Sequence, residues 1–261
     1  MTRVLSAVVL IPIVVGIVWY LPPLATLVFA EIAAVLAFIE YADLAAALGA
    51  HIPRAVSGAA VVAACAAVAF WPPPLDLVAI SALIVVGALA VASGNPGPAI
   101  LRDAACALFP VLYIGVPLGA LAAVRSSSRE ALLLLMATIV ISDSAQYYSG
   151  RAFGRHLLAP AISPKKTVEG ALGGMILGTL AMTAGAVRLF PDAGLPLLVL
   201  VAAAVVALGM VGDLFESLLK RSAGVKDSSS LIPGHGGVLD RIDSWLFAGP
   251  VFYVFTRYLH S

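Results

Sequence analysis

Charge is scarce in this chain. Only 11% of its 261 residues are Asp, Glu, Lys or Arg, and the formal net charge is +1. A soluble domain carries about 25% charged residues, and a nucleic-acid-binding surface needs a basic excess. The balance here argues against both. Cysteine is scarcer still. Cys65 and Cys106 both sit in apolar runs; they imply no disulfide framework and read as small buried hydrophobes. There is no GxxxxGK[ST] loop, no HExxH and no evident Ser/His/Asp order, so P-loop, zinc-protease and triad chemistry drop out. No internal repeat is visible, unlike many secondary transporters. Long polar segments number only two, roughly 150–169 and 220–242.

Apolar residues fill the rest. They make up 62% of the chain, and the mean hydropathy is +1.06. Runs of about 20 such residues are long enough to cross a hydrocarbon core. A spanning backbone must satisfy its own hydrogen bonds, which leaves helices or a closed barrel. Continuous rather than alternating runs select helices. The expectation is therefore an all-α polytopic membrane protein, with about nine spans near 4–20, 24–48, 57–71, 75–92, 104–124, 130–149, 170–188, 196–219 and 243–260. Pro- and Gly-rich breaks such as "LPPL", "WPPP" and "SGNPGP" separate them. The N-terminal apolar run reads as a retained first helix rather than a cleaved leader. One integral membrane domain is expected over 1–261, with helices of unassigned role over 1–130 and a signature region over 140–245.

Basic residues orient the chain. Loops after even-numbered spans hold ten Lys and Arg, against five on the other side. The positive-inside rule then places both polar segments in the cytoplasm and both termini outside.

Chemistry concentrates in those segments. Asp213, Glu216, Ser217 and Lys220 fall at i, i+3, i+4 and i+7, one face of a helix. Carboxylates near the end of an apolar helix are costly unless they line a polar cavity. Snorkelling to water explains Lys220 and Arg221 but not Asp213, which lies about two turns deeper. Asp240 and Asp243 open the last helix. One acid would suffice to cap it; two suggest an oxygen-donor site for Mg²⁺, and Arg241 between them suits a phosphate. Asp143, Gln146, Tyr147 and Gly150 share another face, with a structural Asp–Arg pair as the plain alternative. Lys165, Lys166 and Thr167 lie near a helix start, a place suited to anions. Gly170, Gly174 and Gly178 read as close helix packing, and Glu169 as a helix cap. "PGHGG" at 233–237 must bend sharply; for its His235, ligand, acid and turn packing all stay open. Many acids and bases with few nucleophiles suit phosphoryl or nucleotidyl transfer.

The stretch "SLLKRSAGVKDSSSLIPGHGGVLDRID", 217–243, closely resembles the signature of phosphatidate cytidylyltransferases, also called CDP-diglyceride synthases. "SPKKTVEG" and "DSAQYYSGRAFG" resemble further family segments, and "EY" at 40–41 is a faint echo in the first half. Ser229 stands where many members have Gly, and Gln146 where a small residue is common. The resemblance implies transfer of a cytidylyl group from CTP to phosphatidate with Mg²⁺, at the inner-membrane face turned to the cytoplasm. It implies metal binding by Asp213, Asp240 and Asp243, with a second cation such as K⁺ beside Mg²⁺. Phosphates fall to Lys220, Arg221, Lys226 and Arg241, with Lys166 a further phosphate ligand. Asp143, Glu216, Ser217 and His235 shape the site. The first four spans are left as a lipid-facing cavity or a homodimer contact. An ion-coupled transporter shares the acids but leaves the two basic loops unexplained. A CDP-alcohol phosphotransferase would need a DxxDGxxAR pattern, which is absent. A polyprenol kinase stays in view as another lipid-phosphate enzyme.

Overall fold

The computed structural model describes residues 12–70, 75–94, 96–232, 234 and 236–259. Helices dominate: α1 through 12–20, α2 Pro23–Ala47, α3 Arg54–Ala69, α4 Leu75–Ala92, α5 Ile100–Pro110, α6 Val116–Ser127, α7 Arg129–Phe153, α8 Val168–Leu189, α9 Leu195–Ser222 and α10 Leu239–Leu259. Among the described residues six helical stretches are long and apolar enough to cross a membrane, with α5 and α6 counted as one. The polytopic all-α expectation holds at that level. Every expected span overlaps a helix, but α3 has 16 residues, and α10 carries Asp240, Arg241, Asp243 and Arg257 along its length. One element went unforeseen. An antiparallel hairpin, β1 Leu157–Ala159 with β2 Ser163–Thr167, occupies the first polar segment.

The chain forms two compact units, 1–126 with 219–241, and 127–218 with 242–261. The division runs through α9 and α10. It assigns the charged loop to the unit built by the N-terminal helices.

In the first unit, a five-residue π turn, Val111–Gly115, joins α5 to α6 directly after Pro110. Proline has no N–H, so the carbonyl four residues earlier loses its partner. That carbonyl belongs to Cys106, and the Tyr41 hydroxyl donates to it at 3.0 Å. A Cβ on Gly115 would meet the Val61 carbonyl at 2.5 Å, so the π turn lies directly against α3. Buried Arg125 donates to the carbonyls of Val18 (2.7 Å) and Leu21 (2.9 Å), closing the end of α1.

In the second unit, Ser128 caps α7 by accepting from Ala131 N–H, and Thr167 caps α8 by accepting from Gly170 N–H. Gly170 and Gly174 lie against the carbonyls of Gln146 and Ser142, so α7 and α8 pack backbone to backbone. The close-packing reading of that glycine row is correct. Phe252 and Phe255 stack at 6.0 Å between ring centres, and Phe190 meets both edge-on at 6.3 and 5.2 Å.

Candidate active site

Residues 219–241 build the first cluster. After α9, the backbone closes through Val225 N–H to the Lys220 carbonyl, and Arg221 donates to the Val225 carbonyl at 2.9 Å. The chain then runs to a tight turn in which Ile232 N–H donates to the Gly236 carbonyl at 2.8 Å. Gly236 adopts φ +78°, a conformation open to glycine at little cost. Pro233 and His235 lie outside the described residues, so the expectation for His235 carries no structural account.

Asp240 organises the start of α10. Its Oδ2 accepts from Ser228 N–H (2.9 Å), Ser228 Oγ (2.7 Å) and Gly237 N–H (2.7 Å). Its Oδ1 takes the Lys220 ammonium. Both residues are only 8% exposed. Burial alone pushes the Asp240 carboxyl up. The Lys220 ammonium and the Gly237 and Ser228 donors outweigh it and hold the pKa at about 2. Asp240 is thus held as an anion in the first turn of α10, bonded to groups that precede the helix.

A residue absent from the expected site completes this cluster. Glu40, on α2 and 4% exposed, accepts four hydrogen bonds. Ser228 Oγ (2.8 Å) and Leu239 N–H (2.8 Å) reach Oε2; Ser229 Oγ (2.7 Å) and Val238 N–H (2.9 Å) reach Oε1. The first N–H groups of a helix have no partner within it, and Val238, just ahead of α10, offers no side-chain acceptor. Glu40 supplies that acceptor from another helix. Gly237 is boxed in: an added Cβ would run into both Ser228 Oγ and the Glu40 carboxylate. One signal for Glu40 was legible, since an acid within an apolar helix is a functional candidate by default. Glu31 on the same helix carries the same signal, and only the faint "EY" echo at 40–41 set Glu40 apart.

The second cluster lies in the other unit. Lys166, on β2, pairs with Asp213 on α9, the two side chains 21% and 29% exposed. The hairpin is secured by Glu169, which accepts from Arg155 N–H (3.0 Å) and His156 N–H (3.2 Å) and meets His156 Nδ1 at 2.6 Å. Glu169 therefore ties the preceding loop down; the capping role expected of it falls to Thr167. Asp243 accepts from Ser244 N–H at 2.7 Å, and its carbonyl would lie 2.5 Å from a Cβ on Gly212, so α9 and α10 touch beside Asp213.

The remaining expected residues are more scattered. Glu216 is fully buried and Ser217 half-buried on α9. Arg221, Lys226 and Arg241 are exposed. Asp143 is exposed on α7 and accepts from Gln146 Nε2 at 3.0 Å, which bears out the shared face of those two residues.

For a metal, the donor chemistry is decisive. Among the described residues no three Asp, Glu, His or Cys converge on one point, which does not suit a closed protein cage. Mg²⁺ takes one or two carboxylates plus waters and substrate phosphates, and Asp213 and Asp243 are oxygen donors of that kind, while Asp240 Oδ1 is taken by Lys220. Asp240 Oδ2 is held by Ser228 N–H and Gly237 N–H and shares the Ser228 hydroxyl proton with Glu40.

Known proteins resemble this chain. A sequence model of the cytidylyltransferase family matches residues 1–259. The phosphatidate cytidylyltransferase of Staphylococcus saprophyticus subsp. saprophyticus is 38% identical over 152 residues, 58% of each chain. That of Haemophilus influenzae is 47% identical over 129 residues, 47% of this chain and 45% of its own. That of Staphylococcus haemolyticus is 40% identical over 154 residues, 58% of each. The chain thus aligns with about half of the length of the curated relatives it matches. The family match, by contrast, runs through the helices that carry Glu40 and Tyr41 as well as through the charged loop, and on that breadth the chain belongs to the cytidylyltransferase family.

Proposed function

We propose that this protein transfers a cytidylyl group from CTP to phosphatidate, giving CDP-diacylglycerol and pyrophosphate, at the cytoplasmic face of the inner membrane. The observation that carries the reading is the pairing of ammonium with carboxylate among the signature residues: Lys166 with Asp213, and Lys220 with Asp240. An apolar protein maintains such pairs at a cost, and handling two anionic substrates is a reason to do so. The names of the relatives, phosphatidate cytidylyltransferases, support the substrates.

In this reading a phosphate oxygen of phosphatidate attacks the α-phosphorus of CTP. The bond from that phosphorus to the bridging oxygen breaks, and pyrophosphate leaves. A phosphate monoester loses its second proton near pH 6, at about the value of a phosphorylated side chain, so no strong general base is required. The exposed cations Arg221, Lys226 and Arg241 bind the triphosphate, and Lys166 offers its ammonium to a phosphate from the edge of the hairpin. Lys220 holds Asp240 ionised and oriented. Glu216 and Ser217 line the same stretch of α9, and Asp143 contributes from α7. Asp213 and Asp243 would hold Mg²⁺, with a monovalent cation such as K⁺ as the second cation; Asp240, whose Oδ1 takes the Lys220 ammonium, is the third acid that the resemblance implies. The metal would neutralise charge on the phosphates.

The test is pyrophosphate release from CTP by purified protein in detergent, with phosphatidate, with Mg²⁺ added or chelated, and with Asp240→Asn alongside. Release that needs lipid and metal and falls by orders of magnitude in the variant supports the reading. Release with polyprenyl phosphate in place of phosphatidate keeps the chemistry and changes the substrate. No release with any lipid from folded protein sinks the reading and favours a transporter.

A further inference from the structure

We propose that Glu40 is a positioning residue for the reaction: it staples the two ends of the active loop together from α2 and thereby sets the orientation of Asp240. The proposal rests on the cytidylyltransferase reading for its activity arm.

The staple is visible in the donors. Ser228 and Ser229 open the stretch 228–239 of the segment between α9 and α10, and Val238 and Leu239 close it. All four converge on one carboxylate, two on each oxygen. With the carboxylate 4% exposed, water does not compete for them. Both ends of the loop are thus held by a group 188–199 positions away in sequence. The carboxylate does two tasks at once. It closes the loop, and it satisfies the N–H groups that start α10, on which Asp240 is carried.

Ser228 transmits the position. Its hydroxyl lies 2.8 Å from Glu40 Oε2 and 2.7 Å from Asp240 Oδ2. A hydroxyl has one proton, so it donates to one carboxylate at a time and the two acids share it. Asp240 stays anchored meanwhile by Ser228 N–H and Gly237 N–H. Gly237 makes the closeness possible, since no side chain fits between Ser228 and Glu40.

Glutamine in place of Glu40 keeps the shape but turns one acceptor oxygen into an N–H₂ donor facing two donors. The ends of the loop should separate and Asp240 should lose its fixed direction, while α2 stays packed through Tyr41.

Hydrogen exchange with mass spectrometry on the full chain in detergent, run beside the pyrophosphate assay, tests this. In Glu40→Gln, peptides covering 228–240 should exchange at least about tenfold faster, with the hairpin at 157–167 unchanged. The rate at saturating CTP should fall about 10–100-fold, more than KM for CTP rises, and Glu40→Asp should recover part of it. Lost activity with unchanged exchange would overturn the proposal, because Glu40 would then act on substrate directly. Faster exchange throughout 12–126 would overturn it too, marking plain destabilisation. Unchanged exchange with full activity would make Glu40 a bystander. If wild-type protein releases no pyrophosphate, the function reading fails, while exchange still decides the staple. Should Glu40→Gln not fold, Ser229→Ala removes a single donor. It should raise exchange about threefold or more near 228–232, and no change there would overturn the proposal.

Discussion

The Tyr41 hydroxyl donates to the carbonyl of Cys106, the residue four positions ahead of Pro110. Proline leaves that carbonyl without its helical partner, and a tyrosine on a different helix replaces it. An unmet carbonyl in an apolar setting costs about 1–3 kcal/mol. Tyr41→Phe should lower unfolding stability in detergent by that much. In a Pro110→Ala background the N–H returns, and the cost of Tyr41→Phe should fall by at least half. Equal costs in the two backgrounds would disprove the compensation.

Lys220 and Asp240 form a buried pair, so removing one partner leaves an unbalanced charge. Asp240→Asn should cost about 3–5 kcal/mol, and Lys220→Met combined with Asp240→Asn less than the sum of the two. Thermal unfolding of the three variants checks this. A strictly additive double variant would contradict the coupling.

Acid sensitivity follows from the same pair, with a definite sign. The Asp240 carboxyl is held at about 2 in the folded chain, below about 3.9 for an unperturbed aspartate. A lowered value means the carboxylate stabilises the fold at neutral pH. That contribution is complete above the unfolded value and is lost as pH falls through the folded one. It should be on the order of 2 kcal/mol. Stability of wild type relative to Asp240→Asn should therefore be flat from pH 8 to about 5 and converge between about 4 and 2. Convergence already at pH 6 would exclude Asp240 as the source.

Lys166 and Asp213 are more exposed, and a pair of that kind contributes about 0–1 kcal/mol. Lys166→Met should barely move unfolding, yet slow the proposed cytidylyl transfer by about 10²-fold, because the proposed site assigns it a phosphate. Lys166→Arg should restore part of the rate. A variant with wild-type kinetics would remove Lys166 from the site.

Gly237 and Gly224 make a contrasting pair. Gly237→Ala pushes a methyl into Ser228 and Glu40 and should cost about 1–3 kcal/mol with most of the activity. Gly224 has open space around it but φ +73°, so Gly224→Ala should cost about 1–2 kcal/mol of backbone strain and leave activity largely intact. Equal losses of activity would mean the loop is not held where Glu40 places it.

Sequence by itself determined what depends on local composition. Continuous apolar runs specified membrane-spanning helices, because a buried backbone has few other ways to bond. The spacing of Asp213, Glu216, Ser217 and Lys220, and the pattern from 217 to 243, located the charged loop, because helical periodicity and short motifs lie within a few residues. The glycine row in α8 was legible for the same reason. Tertiary structure alone decided which distant groups meet. Nothing local says that Glu40 reaches Val238 and Leu239, that Lys166 finds Asp213, that residues 157–167 pair as a hairpin, or that Tyr41 repairs the gap left by Pro110. Apart from the hairpin, those contacts join positions separated by tens to nearly two hundred residues. They are chosen by how helices pack and by the cost of leaving buried polar groups unpaired, and neither quantity has a period that a sequence can display.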